Sequence, residues 1–432
     1  MSDRSIQFTK NMILSFIVLI CSLVGSSVRY TTQSQPSSQD QMPALTDETI
    51  LFIEHDPGGY ELEPAPLDLS EPLEPESETE PEPVSEPESE PEPEFFTIAM
   101  MGDCTFASEH NARSGSQAYE KIIGDNYAYP FSGVKHLYEN ADFVMVNLEC
   151  AISDSDVRAE TSFHFRAEPK YVNILLEGGI DFVALGNNHT LDYGQKGYED
   201  TQEILLENGI GYAPNGGWNL FTTDSDLVIG VYSRNFPNDT EVVRAVEQMR
   251  EAGAQLIIMA LHWGDEGSYR ANSWQSAIGR AAIDAGAHII MGTHPHTLQK
   301  LEEYNGGYIY YSLGNWSFGG HTNPRDKDSV IAMVNIMRDL DGSLSIIGVD
   351  NIPCSVSGST TINDYRPVPY ELESLEYERT LSKLDGSFTG PDLVVSYDSP
   401  VSEESSSASL ATQEESMQEE YAEEDNTQES YG

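Results

Sequence analysis

Ten histidines occur in the 432 residues, and four of them (His189, His262, His294 and His296) stand just past short apolar runs in the company of acids and asparagines. Asp103 follows the run FFTIAMMG (95–102), and Glu149 closes ADFVMVNLE (141–149). Asn187, Asn188 and His189, then Asp192, stand at the end of IDFVALGN (180–187). His262 ends AQLIIMALHW (254–263), with Asp265 and Glu266 just beyond, and HIIMGTH (288–294) leads into His294-Pro295-His296. Oxygen and imidazole donors of this kind suit a hard or borderline divalent cation, Mn, Fe, Zn or Mg, rather than a thiolate site. No C-x-x-C spacing occurs among the four cysteines, so a structural zinc cluster is not indicated. A single Asp or His after an apolar run is more often a turn or helix cap than a ligand, and only the joint pattern over five runs points to metal. His294 and His296 are one residue apart, which on an extended backbone turns both to the same side.

Something must bring these runs together. Between them lie segments with apolar positions three or four apart, Tyr171–Glu177, Gln195–Asn208, Glu241–Ala252 and Ser273–Ala285, most of them running into glycine. Buried strands alternating with such helices predict an α/β fold with a largely parallel core sheet. In an open parallel sheet the C-terminal strand ends share one edge, and ligands bind in the crevice outside it. The five polar clusters are therefore expected on one rim. Later in the chain, Leu298–Tyr304 and Tyr308–Leu313 flank an Asn-Gly-Gly turn, and Val330–Arg338 and Ser343–Val349 flank an Asp-Gly turn. These predict antiparallel hairpins after the α/β units. No internal repeat is visible.

At these residues the chain resembles the CapA (capsule synthesis, poly-γ-glutamate) family of the metallophosphatase-like superfamily. The resemblance is carried, in order, by GDCTF (102–106), VNLECAIS (146–153), FRA (165–167), LGNNHTLDYG (185–194), LHWGDE (261–266), GTHPHTLQ (292–299) and YSLGNWSF (311–318), and it spans roughly 95–370. It implies a four-layer α/β sandwich with two facing sheets, an exported or surface location, and a role linked to poly-γ-glutamate or another capsular polymer. It also implies roles for residues. Asp103 would bind a first metal, Glu149 would bridge two, and Asn188 would bind the second, with His262, His294 and His296 as the remaining ligands. His189 would be the acid beside them, oriented by Asp192. Arg166, Asn187, Glu266 and Asn315 would face substrate. For Arg166 a structural salt bridge is the other reading, and for Asn315 a turn after a strand. Superfamily members usually begin Asp-x-His, but here Asp103 is followed by Cys104 and Thr105, which removes one first-metal ligand. Cys104 and Cys150 each follow a ligand position, and three readings stay open: a disulfide, a contact of Cys104 with metal, or two buried thiols.

One or two cations, with Mn, Fe or Zn foremost, would support hydrolysis of a phosphoester or of an amide such as the γ-glutamyl link. His189, with an ordinary pKa of about 6.5, would protonate the leaving group. The alternative is a non-hydrolytic component of polymer export or surface assembly in which metal grips carboxylates of a polyanion. A degenerate scaffold is a third reading. The partners implied are an anionic polymer and a membrane-bound synthase or exporter.

The ends of the chain carry different signals. Arg4 and Lys10 precede an apolar run from Met12 to Gly25, followed by small residues. Residues 1–28 therefore read as a signal peptide or an N-terminal anchor, with a lipid on Cys21 as a further option. Residues 29–94 read as an extended Glu/Pro-rich linker, 95–392 as the folded domain and 393–432 as a disordered acidic tail. Everything after the first segment is expected outside the cytoplasm. The formal charge is −50, of which about −23 falls on 95–400. No basic footprint exists for nucleic acid or for an anionic membrane surface, and a single globule over the whole length is not expected from the linker composition.

Overall fold

The computed structural model describes residues 92–395. The candidate signal or anchor, nearly all of the Glu/Pro segment and all but the first residues of the acidic tail lie outside the described residues. Among the described residues no helix is long and apolar enough to cross a membrane.

Among the described residues there are sixteen strands and six α-helices. They begin with β1 (Glu94–Thr105), α1 (Tyr119–Ile123), β2 (Phe143–Leu148), β3 (Ala151–Ile152), β4 (Arg166–Ala167), α2 (Val172–Gly178), β5 (Phe182–Ala184), α3 (Gly194–Glu207), β6 (Gly211–Ala213), β7 (Gly217–Thr222) and β8 (Val228–Asn235). They continue with α4 (Asp239–Glu251), β9 (Leu256–His262), α5 (Ser273–Ala285), β10 (Ile289–Thr293), β11 (Leu301–Tyr304), β12 (Gly307–Tyr310), β13 (Asn315–Phe318), β14 (Asp328–Arg338), β15 (Leu344–Ser355), β16 (Val368–Pro369) and α6 (Leu375–Leu384). Helices α4 and α5 each start on a capping box, Asn238 with Glu241 and Asn272 with Gln275, so their first turns have their free N–H groups satisfied.

Two sheets carry the fold. One runs β16-β15-β14-β1-β2-β5-β6 with β13 also on β1, and the other runs β11-β12-β10-β9-β8-β7. Strands β1, β2, β5, β6 and β13 are parallel, as are β8, β9, β10 and β12, while β14–β16, β11 and β7 are antiparallel to their neighbours. The expected hairpins form. Asn305 and Gly306, both at positive φ, make the two-residue turn between β11 and β12, and β14 pairs with β15 across the Asp341-Gly342 turn.

Strand alternation sorts the apolar side chains into layers. Ile98 and Met100, Phe143 and Met145, and Phe182 pack against Ile229, Val231, Ile258, Ile289 and Met291 of the second sheet. The intervening Ala99, Met101, Val144, Val146 and Val183 pack outward with Ile174, Leu175 and Leu205 of α2 and α3. On the far side Ile257, Met259, Leu261 and Ile290 pack with Val242, Val246, Met249, Ile278 and Ala282 of α4 and α5. The result is helix, sheet, sheet, helix: the four-layer α/β sandwich that the resemblance implied. The rim expected on a single sheet is therefore shared by two. The apolar pattern marks which residues are strands and which faces are buried, but it does not say which strands pair.

Candidate metal centre

The polar residues at the strand ends meet where the two sheets open. On β2 the alternation of Phe143 and Met145 continues through Asn147 to Glu149, so both face between the sheets. On β9, Leu256, Ile258 and Ala260 lead in the same way to His262. Strand β1 needs a correction of register. Ile98 and Met100 face inward while Cys104 and Phe106 face outward, so the parity changes between them, and a bulge lies between Met101 and Asp103. That extra residue turns Asp103 inward. Gly102 makes the bend possible, because a Cβ there would stand 1.8 Å from the Gly314 carbonyl oxygen, where β13 crosses and Asp103 N donates to the same oxygen at 2.9 Å.

The expectation that His294 and His296 share a side on extended backbone fails. Strand β10 ends at Thr293, which itself faces inward, so an extended continuation would turn the even-numbered histidines toward the helix layer. Instead His294 and His296 take φ of 97° and 55°, and these left-handed turns aim both rings back into the cleft.

Three overlapping groups of side chains result: Asp103, Glu149 and His296; Glu149, His262 and His294; and Glu266, His294 and His296. In each, the ligand atoms lie within 4.8 Å of one another. Asn188 joins them, with its Oδ1 2.9 Å from His262 Nε2. His262 Nε2 is 3.4 Å from Glu149 Oε1, while its Nδ1 is held at 2.9 Å by Thr293 Oγ1. Asp103 accepts from Asn147 Nδ2 at 2.8 Å and from the His294 backbone N–H at 3.2 Å, and lies 3.5 Å from His296 Nδ1.

The donor set fits a divalent cation on two observations. First, Glu149 is fully buried and neither of its carboxylate oxygens has a hydrogen-bond partner, and His294 Nδ1 is likewise buried without one. Buried polar groups are normally paired, so these orphans mark a place shaped for something else. Second, the protonation pattern shows a buried place crowded with negative charge. Burial, with Asp103 alongside, pushes the Glu149 carboxyl up to about 8. Burial also raises Asp103, but His296 and His262 more than offset it and hold that carboxyl below the usual range. Burial lowers His296, yet Glu149, Asp103 and Glu266 reverse this and carry it up to about 10. Burial keeps His262 and His294 neutral, down at about 3, which leaves their lone pairs available as ligands.

His189 stands beside the cluster. Its Nδ1 meets Asp192 Oδ2 at 2.8 Å, and the same oxygen accepts the Phe165 N–H at 2.7 Å. Burial lowers the His189 pKa, but Asp192 and then Glu149 outweigh it, so the net shift is upward. The Phe165 ring packs edge-on against His189, and Phe318 packs on His296.

The residues expected to face substrate divide. Glu266 lies in one of the three ligand groups, with His294 and His296. Asn187 is buried and donates to the Leu148 carbonyl at 2.8 Å and to Asn147 Oδ1 at 3.2 Å. Its Oδ1 accepts the His189 N–H at 3.1 Å, so its side chain holds the His189 turn instead of meeting a ligand. Asn315 is buried with its Oδ1 2.8 Å from His296 Nδ1, which orients that ring. The Arg166 guanidinium sits on the Ser155 carbonyl, on Asp156 and over the Tyr193 ring, so of its two roles the structure displays the salt bridge. Cys104 and Cys150 are buried free thiols, and burial raises both pKa values. Sequence reasoning missed Asn147 and Thr293. Asn147 stands two residues before Glu149 on one strand, and that spacing alone puts both on the same face.

The chain is thus a four-layer α/β domain with a buried carboxylate and imidazole cluster between two sheet edges, a donor set of the kind that can hold a divalent cation. The chain belongs to the bacterial capsule synthesis protein PGA_cap family, whose model matches residues 97–217 and 217–319. It is 27% identical over 321 residues to the capsule biosynthesis protein CapA of Bacillus anthracis, an alignment covering 67% of this chain and 74% of that protein. It is also 27% identical over 280 residues to the PGA biosynthesis protein CapA of Bacillus subtilis (strain 168), covering 59% and 70%. Among solved structures, the NAD nucleotidase of Haemophilus influenzae aligns with a TM-score of 0.33 at 13% identity, covering 68% of this chain and 63% of that one.

Proposed function

We propose that this chain is an exported, surface-held component of poly-γ-glutamate or capsular polymer synthesis, and that its strand-end cluster is a metal-dependent hydrolase site for a phosphoester or a γ-glutamyl amide. The observation that carries the metal half is Glu149, buried with both oxygens unpartnered amid His262, His294 and His296. Asp103, Glu149, Asn188, His262, His294 and His296 would hold one or two cations, with Mn, Fe or Zn best suited to the mixed oxygen and imidazole donors. A cation bound there supplies Lewis acidity toward a phosphoryl or carbonyl oxygen. Thr293, Asn147 and Asn315 fix the orientation of the ligands.

The catalytic half rests on His189. Asp192 takes the Nδ1 side of the ring and favours the protonated form, which leaves Nε2 to donate a proton to a departing oxygen or nitrogen. A group that only gripped a polymer would not need an imidazole with its own carboxylate partner, and this favours hydrolysis over the non-hydrolytic reading. A surface location and membrane-bound synthase or export partners belong to the same proposal and rest on the N-terminal apolar run and on the family.

The test is a hydrolysis panel on the full chain with phosphodiester, phosphomonoester and γ-glutamyl substrates, with and without chelator. Activity is expected to vanish with chelator. His189→Ala is expected to reduce turnover by about 10²–10⁴-fold while elemental analysis shows unchanged metal content. A chain that binds poly-γ-glutamate only when metal is present, and turns over none of the panel, would replace this reading with the non-hydrolytic one.

A further inference from the structure

The geometry points to a second, outer cation seat built by Glu266 with His294 and His296, and we propose Glu266 as a metal ligand of this chain. The inference rests on the metal reading above but not on hydrolysis. The ligand atoms of these three residues lie within 4.8 Å of one another. Ligands about 2.0–2.2 Å from one tetrahedral ion stand roughly 3.3–3.6 Å apart, so the three groups would draw together on binding. Glu266 is partly exposed, whereas Asp103 and Glu149 are fully buried, and it groups with neither of them. Of these three carboxylates it is the one nearest solvent.

On β1, Thr105 is turned to the backbone beside the cluster, its Oγ1 donating to the Glu149 carbonyl at 3.1 Å. Glu266 comes to the cluster from the loop after β9. That carboxylate is held in place. The N–H of Gly267, its neighbour, donates at 2.8 Å to the carbonyl of Pro295, the residue between the two histidines. Ser268 O accepts from Thr297 Oγ1 at 2.7 Å and from Gln299 Nε2 at 3.0 Å. On the other side, Leu393 N donates to Gly267 O at 2.9 Å and Arg270 pairs with Asp392 at 2.6 Å. The Glu266 loop and the His294–His296 turn are thus one hydrogen-bonded unit, the kind of support a ligand set requires. A cation held by one carboxylate and two imidazoles at a partly exposed position keeps coordination sites open for an anionic group.

The experiment is a Mn2+ titration of the full chain, with free Mn2+ followed by its paramagnetic resonance signal and bound metal counted after dialysis. The wild-type chain is expected to take up about two equivalents, one tighter than the other. Glu266→Gln is expected to lose the weaker equivalent or to weaken it at least about tenfold, with the tighter one unchanged. Glu266→Asp, with a carboxylate on a shorter arm, should fall between, and circular dichroism of both variants checks that they fold. Wild-type and Glu266→Gln isotherms that coincide overturn the seat, as does a single equivalent indifferent to the substitution. No uptake by the wild-type chain would sink the metal reading as well. Loss of one equivalent from a chain that hydrolyses nothing would keep the seat and remove only the hydrolase.

Discussion

Burying a carboxylate without a donor is among the more expensive things a fold does, several kcal/mol for an ion left unpaired, and Glu149 is such a group. Asp103 beside it adds to the cost, which is why the Glu149 proton is retained up to about 8. A cation repays both terms. Removing the charge should therefore separate two quantities that are joined in the wild type. In chelator, Glu149→Gln is expected to melt at the wild-type temperature or above it, because a neutral amide of the same shape replaces an uncomfortable acid. With Mn2+ at a hundredfold excess over its dissociation constant, the wild-type chain should gain about 2.7 kcal/mol and the variant little or nothing. Thermal melts with and without Mn2+ read both effects. An equal gain in the two proteins would remove Glu149 from the ligand set.

The elements show why part of this site was legible and part was not. Apolar runs of strand length, each followed by acids, asparagines or histidines, announced the strands and the residues at their ends, and helices α2 to α5 fell where the three-to-four spacing put them. Side-chain direction at the last residue was harder to read. Asp103 points inward only because of the bulge at Gly102, and His294 and His296 only because of left-handed turns that histidine seldom adopts. Neither leaves a periodic trace. The division of five strands between two sheets is equally silent in the pattern, since alternation describes the faces of a strand and not its neighbours. The bulge offers a test at this scale. Gly102→Ala would drive a methyl group into the Gly314 carbonyl 1.8 Å away. The cost is expected to be about 1–3 kcal/mol or more, with loss of bound Mn2+, because β1 must shift and carry Asp103 with it. Gly348→Ala on β15, where a Cβ meets nothing within 4 Å, should be neutral or gain about 0.5–1 kcal/mol. Urea denaturation of both variants checks the contrast, and a Gly102→Ala chain as stable and as metal-replete as the wild type would refute the bulge argument.

At the scale of the molecule the question is how a chain so acidic holds together and where it keeps its positive charge. Much of the −50 lies in the segments outside 95–400, and within the fold the cations are placed one by one. The largest such placement is at α6. Lys383 is buried, 2.6 Å from Asp326 and 2.7 Å from Asp328, while Arg379 grips both oxygens of Asp328 at 2.6 and 2.7 Å and Tyr370 donates to it at 2.8 Å. The Lys383 ammonium also lies over the rings of Tyr269 and Phe388, which ties α6 to the loop that carries Glu266. No local pattern signals a network that joins Asp326 and Asp328 to partners more than forty residues further on, and none was read from the sequence. Burial alone would raise the Asp328 carboxyl, but Arg379 and Lys383 outweigh it and hold it below the ordinary range. A carboxyl depressed in the folded state contributes stability above its unfolded pKa of about 3.9. That contribution is lost as the pH falls through the folded value. Asp328→Asn is therefore expected to destabilise the chain at pH 7 by about 3–5 kcal/mol, the usual cost of breaking a buried pair. Below about pH 4 its stability should fall less steeply than that of the wild type, because one titrating group is gone and the two curves converge. Denaturant unfolding from pH 7 down to about 2 measures both curves, and parallel curves over that range would show that Asp328 is not the group that couples protons to this fold.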